Sequence, residues 1–238
     1  MQLIGAAERS PDKVSADPEA ARKLNVQATK SLARACASRK ILIIYISTDY
    51  VFAGRPGEAP YEADAQAAPT NLYGQTKLDG EIATLKEAGD LAVVLRVPVL
   101  YGQADRNADS AINTLIDSVW KAQKQYVNIP MDDWAQRYPT NTEDVARVIK
   151  DIAERYTSSD LKSLPRILHF TSEDKYTKYE ICEIFADILG LPIVGIESNK
   201  QGNDPDSSTQ RPFDTHLSTR ALREIGIATW TQNFRDWW

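Results

Sequence analysis

Tyr73 and Lys77 are four positions apart in a stretch, residues 71–81, whose pattern predicts the start of a helix. On a helix this spacing places the phenol and the ammonium on one face, which is also common for ordinary surface neighbours. The pair has a chemical interpretation as well, because a nearby cation stabilises a phenolate and lowers the pKa of tyrosine from its usual value of about 10. Tyr73 could then give or take a proton near neutral pH.

A second reacting group lies at the end of the apolar run 41–47. Ser47, Thr48 and Asp49 close this run, and ligands of open α/β sheets bind outside the carboxyl ends of the strands. The Thr48 hydroxyl could hydrogen-bond a substrate carbonyl or alcohol while Tyr73 transfers the proton, with the hydride coming from a nicotinamide on the same sheet. Thr48, Tyr73 and Lys77 are therefore the predicted catalytic residues.

Strand-like and helix-like segments alternate around these groups. Apolar runs at 41–47 and 91–102 follow helical patterns at 18–38 and 76–89. Alternation of this kind favours a parallel sheet covered by helices. The unalternating apolar character of the first run is typical of a strand that is buried on both faces. We therefore predict an α/β fold with a doubly wound parallel sheet.

The second half of the sequence continues this alternation. Thr142, followed by Glu143 and Asp144, predicts a helix start. The loop at 197–212 has the composition of irregular backbone and is interpreted either as a mobile linker or as a substrate-facing segment. The pattern predicts helices near 110–125, 143–156, 177–190 and 218–226, a strand at 166–172, and loops at 128–142 and 197–212.

Composition narrows the class of protein. The 238 residues are 42% hydrophobic and 26% charged, which is typical of a globular protein with a sizeable core. A net charge of −5 with interspersed signs argues against a nucleic-acid partner or a membrane surface. The sequence contains neither a membrane-length apolar run nor a secretory signal, so a cytoplasmic location is expected.

Cysteine and histidine usage indicates no metal site. Cys36 and Cys182 are far apart in the sequence, which suits buried thiols in a reducing compartment. His169 and His216 stand outside any metal-ligand spacing. His169, within an apolar run, is interpreted as a hydrogen-bonded strand residue.

Three stretches in order carry a family resemblance: STDYVFAG at 47–54, APTNLYGQTKLDGE at 68–81 and VLRVPVLYG at 94–102. The chain resembles extended short-chain dehydrogenases/reductases, in the dTDP-4-dehydrorhamnose reductase-like branch with its RmlD-like substrate-binding domain. The similarity runs from about Leu3 to at least Gly226. It implies a Rossmann-like sheet that binds NADP, or NAD, together with a small C-terminal substrate-type subdomain.

This resemblance also implies a division of the chain. Residues 1–102, continued by about 139–171, correspond to the remainder of a dinucleotide-binding domain. Residues 103–138 and 172–238 correspond to the substrate-type subdomain.

A closer resemblance lies within that branch. The stretch MDDWAQRYPT at 131–140 is the most discriminating of several that are similar to the regulatory β subunits of methionine adenosyltransferase. That family keeps the reductase fold and binds NADP, yet it regulates a catalytic partner subunit. The resemblance therefore implies a role in S-adenosylmethionine biosynthesis, with the catalytic subunit of methionine adenosyltransferase as partner.

The sequence departs from the superfamily at its start. Extended short-chain dehydrogenases open with a strand and a Gly-rich turn whose amides face the cofactor pyrophosphate. This sequence contains no such motif, and residues 1–11 resemble the fourth strand of the fold and its following loop. The expectation is that the first βαβαβ portion is missing and that NADP binds this chain weakly or not at all.

The resemblance assigns roles to further residues. Asn25 corresponds to a structural asparagine behind the catalytic strand. For Arg137 and Arg211, a surface salt bridge is an equally weighted alternative. The expected cofactor-binding residues are Ala6, Ala7, Asn25, Tyr73, Lys77, Arg96, Val97 and Pro98, and the expected substrate-side residues are Gln136, Arg137 and Arg211.

Three functions stay open at this point: a regulatory subunit, an active sugar-nucleotide reductase, and a truncated product without function. The regulatory subunit is preferred. The C-terminal stretch 230–238 holds three of the five tryptophans, and tryptophan is enriched at the energetic centres of interfaces. The prediction is that Trp237 and Trp238, with few neighbours at a chain end, belong to a partner contact, whereas Trp230 packs on its own domain.

Overall fold

The computed structural model describes residues 2–4, 7–125, 127–204, 206–207 and 209–238, with the side chains of 2–4 left aside. Its strands are short, and those of the main sheet are rich in aliphatic residues. They are β1 (Gln2–Ile4), β2 (Ile43–Thr48), β3 (Ala92–Val97), β4 (Leu100–Tyr101), β5 (Ile129–Asp132), β6 (Thr140–Asn141), β7 (Ile167–His169) and β8 (Ile196–Asn199).

Helices connect these strands. None of the described helices is both long and apolar enough to cross a membrane. They are α1 (Pro11–Ala16), α2 (Pro18–Arg22), α3 (Thr29–Ser38), α4 (Leu72–Ala88), α5 (Thr114–Ala122), α6 (Thr142–Thr157), α7 (Lys178–Leu189), α8 (Arg220–Glu224) and α9 (Phe234–Trp237).

The main sheet has the order β1-β2-β3-β7, and every pairing in it is parallel. In β2, Ile44 packs with β3 and β7 side chains against α6, whose Val148 and Ile152 are fully buried. The neighbouring Ile43 and Tyr45 face the other side, where Ala33 and Cys36 of α3 cover them. Helices thus lie on both faces, and the predicted α/β doubly wound parallel sheet is confirmed.

Helix α4 lies unusually close to the strands that it covers. A Cβ atom at Gly74 would come within 2.1 Å of the Tyr50 carbonyl oxygen, and one at Gly80 within 2.3 Å of the Tyr45 hydroxyl. Only glycine fits at distances this short. The close approach brings Tyr73 and Lys77 of α4 to the carboxyl end of β2.

A second core lies away from the main sheet. Helices α5 and α7 pack together there with Tyr101, Met131 and Ile196. The parallel pair β5–β8 belongs to this region. The expectation of continuous loops at 128–142 and 197–212 is therefore wrong in part, because β5 and β6 lie within the first and the first residues of the second belong to β8. The two separate cores support the division into two domains, which stays a proposal.

Helix boundaries follow local chemistry closely. The expected helix at 18–38 is continuous but contains a π-helical segment, Lys23–Ala28. Thr177 caps α7 in a capping box, and Gly190 ends it in the left-handed conformation. The helix start expected at Thr142 is confirmed, since α6 begins there, and the side chain of the preceding Asn141 caps it by accepting a hydrogen bond from the Glu143 amide.

The expectation that Trp237 and Trp238 have few neighbours, while Trp230 packs on its own domain, is wrong; a partner contact of the terminal tryptophans stays a prediction. Trp237 and Trp238 pack against Tyr101, with ring centroids 5.3 and 6.2 Å away, and join the second core. Trp230 is 58% exposed and lies over the Arg147 guanidinium at 3.9 Å. The end of the chain folds back because buried Phe234 anchors it, a contact that its sequence position does not reveal.

Candidate functional site

Thr48 is the last residue of β2 and the cap of a short 3₁₀ turn, Asp49–Val51. Its hydroxyl accepts a hydrogen bond from the Tyr50 amide at 3.2 Å and donates one to Asp49 Oδ1 at 3.0 Å. With only 6% of its surface exposed, Thr48 is held in one orientation at the carboxyl end of the sheet. The Thr48 hydroxyl proton is directed at Asp49, so a ligand group that approaches Thr48 Oγ1 would meet its oxygen as a hydrogen-bond acceptor.

Asp49 is a part of this site to which the sequence analysis gave no role. Thr215 donates to its Oδ2 at 2.5 Å, so two hydroxyls bind one carboxylate. Burial raises the pKa of Asp49, while Thr215, Arg137 and Thr48 oppose the rise. The position of Asp49 directly after a buried strand could have indicated a site residue. Its hydrogen bond to Thr215 could not have been predicted, because the two residues are 166 positions apart in the sequence.

Tyr73 is half-buried at the second position of α4 and meets the Tyr50 ring edge-on at 5.8 Å. Burial raises the pKa of its phenol, and Thr48 and Arg9 only partly oppose this rise. The expectation that the pKa of Tyr73 is lowered is therefore wrong for this structure, since desolvation of the phenolate outweighs the nearby positive charge.

Lys77 points beneath Tyr73 toward the sheet. Its ammonium donates to the Ile46 carbonyl at 2.7 Å and lies 4.3 Å from the centre of the Tyr45 ring. Burial lowers the pKa of Lys77 to about 8, with Glu81 opposing the change. An ammonium has three N–H donors, and among the described residues Lys77 uses one of them, which leaves two for a ligand such as a ribose hydroxyl pair.

Asn25 lies in the π-helical segment and is fully buried. Its amide donates to Thr76 Oγ1 at 3.0 Å and to the Glu8 carbonyl at 3.2 Å, and it accepts from the Glu8 amide at 2.9 Å. It therefore connects the loop after β1 to α4. Of the two alanines expected in that loop, Ala7 is half-buried and Ala6 lies outside the described residues.

Arg96, Val97 and Pro98 are all buried at the end of β3. The Arg96 guanidinium donates hydrogen bonds to both carboxylate oxygens of Glu81, at 2.9 and 2.7 Å. Its side chain therefore forms an internal ion pair and does not point toward a cofactor. His169 contacts Arg96 and the Tyr61 carbonyl, and burial lowers the pKa of His169 to about 3. The interpretation of His169 as a hydrogen-bonded strand residue is confirmed.

The substrate-side residues occupy two places. Arg137 is 5% exposed, and its guanidinium lies 5.9 Å from the Tyr50 ring, beside the Thr48 and Tyr73 cluster. Gln136 is half-buried and donates to the Trp134 carbonyl at 3.1 Å. Arg211 pairs with Asp12 at 3.0 Å on the neighbouring surface, so the salt-bridge alternative describes part of its environment.

This arrangement combines a fixed hydroxyl, a phenol and a lysine at the end of a parallel sheet. Tyr73 and Lys77 could hold the ribose of a nicotinamide nucleotide. The sequence contains no Gly-rich turn for the pyrophosphate, so the described donors fit only one end of such a cofactor. The cluster could bind a polar group, and it could move a proton between that group and Tyr73.

Comparison with known proteins gives the family. The model for the RmlD substrate binding domain matches residues 4–237. The chain is 40% identical over 222 residues to methionine adenosyltransferase 2 subunit beta of Xenopus tropicalis, covering 93% of this chain and 64% of that protein. It is 28% identical over 243 residues to dTDP-4-dehydrorhamnose reductase of Mycolicibacterium smegmatis, covering 98% of this chain and 65% of that protein.

The fold has solved counterparts. A dTDP-4-dehydrorhamnose reductase from Bacillus anthracis in complex with NADP superposes with a TM-score of 0.82 at 20% identity, covering 98% of this chain and 76% of that one. The family match spans nearly every element described above, including both cores and the Thr48, Tyr73 and Lys77 cluster. This chain belongs to the RmlD substrate binding domain family.

Proposed function

We propose that the chain acts as the regulatory subunit of a methionine adenosyltransferase and supports S-adenosylmethionine biosynthesis from a cytoplasmic location. The observation that carries the proposal is the 40% identity to a β subunit over 222 residues, against 28% to a reductase over a similar length. The chain spans 64% of the length of that β subunit. Activity and partner of the whole protein are therefore inferred from the matched portion.

NADP is the proposed cofactor, with NAD as the alternative. The NADP complex of a reductase with the same fold supports this choice. Tyr73 and Lys77 belong to α4, where Lys77 contacts the Ile46 carbonyl of β2, and Asn25 connects this helix to the loop that contains Ala7. Arg96 and Val97 would contribute backbone rather than side chains, since both side chains are buried in the interior.

The first test is capture of a partner. The tagged chain should co-purify with the same organism's methionine adenosyltransferase catalytic subunit. Trp230→Ala should weaken capture, because Trp230 is 58% exposed and lies 3.9 Å from the Arg147 guanidinium, so that two residue types enriched at the energetic centres of interfaces stand together. Trp120→Ala is the matched control, since Trp120 is 52% exposed on α5.

Two outcomes separate the parts of this proposal. Equal capture of the Trp230 and Trp120 variants would remove Trp230 from the interface. Failure of capture, both by this chain and by a form fused to the N-terminal portion of a relative, would contradict the regulatory role itself. Truncation after Gln232 is a poor test, because it removes Phe234 from the second core.

A reductase acting on a nucleotide sugar is the alternative, supported by the grouping of Thr48, Tyr73 and Lys77. In a form that carries the cofactor-binding portion, Tyr73→Phe should lower the reduction rate by about 100-fold or more, the usual scale of general acid catalysis. Substrate affinity should change little. An unaltered rate would assign the proton transfer to another group, and Tyr50→Phe serves as the control at the neighbouring phenol.

A further inference from the structure

The C-terminal segment 228–234 is held through its main chain at every second residue. Arg147 of α6 donates from Nη1 to the Ala228 carbonyl at 3.0 Å and from Nη2 to the Trp230 carbonyl at 2.6 Å. Both acceptors are main-chain oxygens. These two contacts therefore do not depend on the side chains that the segment carries at positions 228 and 230.

Two carboxylates continue the same pattern along the segment. Asp144, in the first turn of α6, accepts a hydrogen bond from the Gln232 amide at 2.8 Å. Asp174, in the loop after β7, accepts one from the Phe234 amide at 2.8 Å. A spacing of two residues is the period of an extended chain, and residues 228–233 belong to no helix or strand. Four alternate positions are thus bound in the way that an extended peptide is bound.

One aromatic pocket completes this arrangement. Phe234 is fully buried there among the rings of Tyr101, Tyr176 and Phe185. In extended-peptide recognition, main-chain hydrogen bonds supply affinity and side-chain pockets supply specificity. We call the three hydrogen-bonding side chains and this pocket the C-terminal groove, which fits an extended segment with one aromatic anchor.

The elements that build the C-terminal groove lie outside the segment that fills it. They are β4, α6, α7 and the loop between β7 and α7. Buried Ile227 precedes the segment, and the linking residues 228–233 can span about 20 Å when extended. Because the segment ends the chain, it can leave one groove and enter another without threading through the fold.

We propose that the C-terminal groove binds the segment of a second copy of this chain, so that two copies exchange their ends. The second copy presents the same main-chain groups at the same spacing, and its Phe234 fits the same pocket. Exchange of an identical element restores each contact described above, which makes it a low-cost route to dimers. The exchange uses residues other than Thr48, Tyr73 and Lys77 and does not depend on a catalytic subunit.

A synthetic peptide of residues 227–238 tests whether the groove accepts a segment from outside. The receptor is the full chain with Phe234→Ala, whose own segment has lost its anchor, and isothermal titration should show that it binds the peptide. The wild-type chain should bind far more weakly, because its own segment competes at high effective concentration.

Main-chain recognition is tested by methylating single amides of the peptide. N-methylation at Gln232 removes the donor to Asp144 and should weaken binding about tenfold or more, the usual effect of losing a hydrogen bond to a charged group. N-methylation at Thr231 is the matched control, since its amide makes no hydrogen bond among the described residues. Absence of binding, or equal weakening by both methyl groups, would overturn the proposal. Phe234→Leu replaces the receptor if circular dichroism shows the alanine variant to be unfolded.

Exchange between intact chains is tested with two differently tagged forms of the wild-type protein, mixed at high concentration. Capture through one tag should recover the other form, and an excess of the peptide should lower this recovery. Gln232→Ala in both forms should leave recovery unchanged, because Gln232 contacts Asp144 through its main chain. Absence of recovery would overturn the exchange, and recovery that the peptide does not lower would assign the association to another surface.

Discussion

Replacing Glu81 by Gln is expected to lower the free energy of unfolding by about 3–5 kcal/mol, the scale for breaking a buried ion pair. Glu81 and Arg96 are 2% and 3% exposed, and the guanidinium binds both carboxylate oxygens. The amide of Gln keeps the shape but not the charge, which leaves the Arg96 cation buried against Phe52 and His169. Urea unfolding, followed by circular dichroism, measures the change.

The control for this variant is on the same helix. Glu87 also pairs with an arginine, but its partner Arg34 is 66% exposed, so Glu87→Gln should move the unfolding midpoint little. Replacing both buried partners, Glu81→Leu with Arg96→Met, should recover much of the loss because no charge is left unpaired. Similar losses in the Glu81 and Glu87 variants would show that burial does not decide the effect.

Phe234→Ala is expected to cost about 3–5 kcal/mol, the range for removing a buried aromatic side chain. Phe234 is fully buried and contacts the rings of Tyr101, Tyr176 and Phe185 at centroid distances of 4.9, 5.4 and 5.9 Å. Because it anchors α9, its loss should also release the two terminal tryptophans. Tryptophan fluorescence and thermal unfolding would report both changes.

Trp230→Ala is the matched control for Phe234→Ala, four residues earlier in the same segment. Trp230 is 58% exposed and stacks on Arg147, so we expect a loss of less than about 1 kcal/mol. A larger loss at Trp230 than at Phe234 would contradict the placement of the C-terminal segment on the second core.

The sequence was most informative where local chemistry decides structure. The strand β2 was predictable because an unbroken apolar run is buried on both faces, and α7 because Thr177 and Gly190 mark its ends. The positions of Thr48, Tyr73 and Lys77 near one sheet end followed from the order of the elements. These features depend on residues that are close together in the chain.

Features that depend on distant residues were not predictable. The residues of β8 are largely polar and form a strand only because β5, far earlier in the sequence, pairs with them. The Asp49 network needs Thr215, a partner from a distant segment. The upward shift in the pKa of Tyr73 depends on burial, which a spacing of four residues cannot report.

The π-helical segment Lys23–Ala28 constrains the length of the helical stretch that contains it. A π turn accommodates one residue more than an α turn, and each residue of an α-helix advances the chain by about 100°. Deleting one residue within the segment would let it close as an ordinary α-helix with little rotation of α2, whereas the same deletion in α3 would turn α2, with buried Ala21, away from its packing side and separate Asn25 from Thr76. Within this stretch, evolution should therefore tolerate a single-residue deletion in the π-helical segment more readily than one in α3.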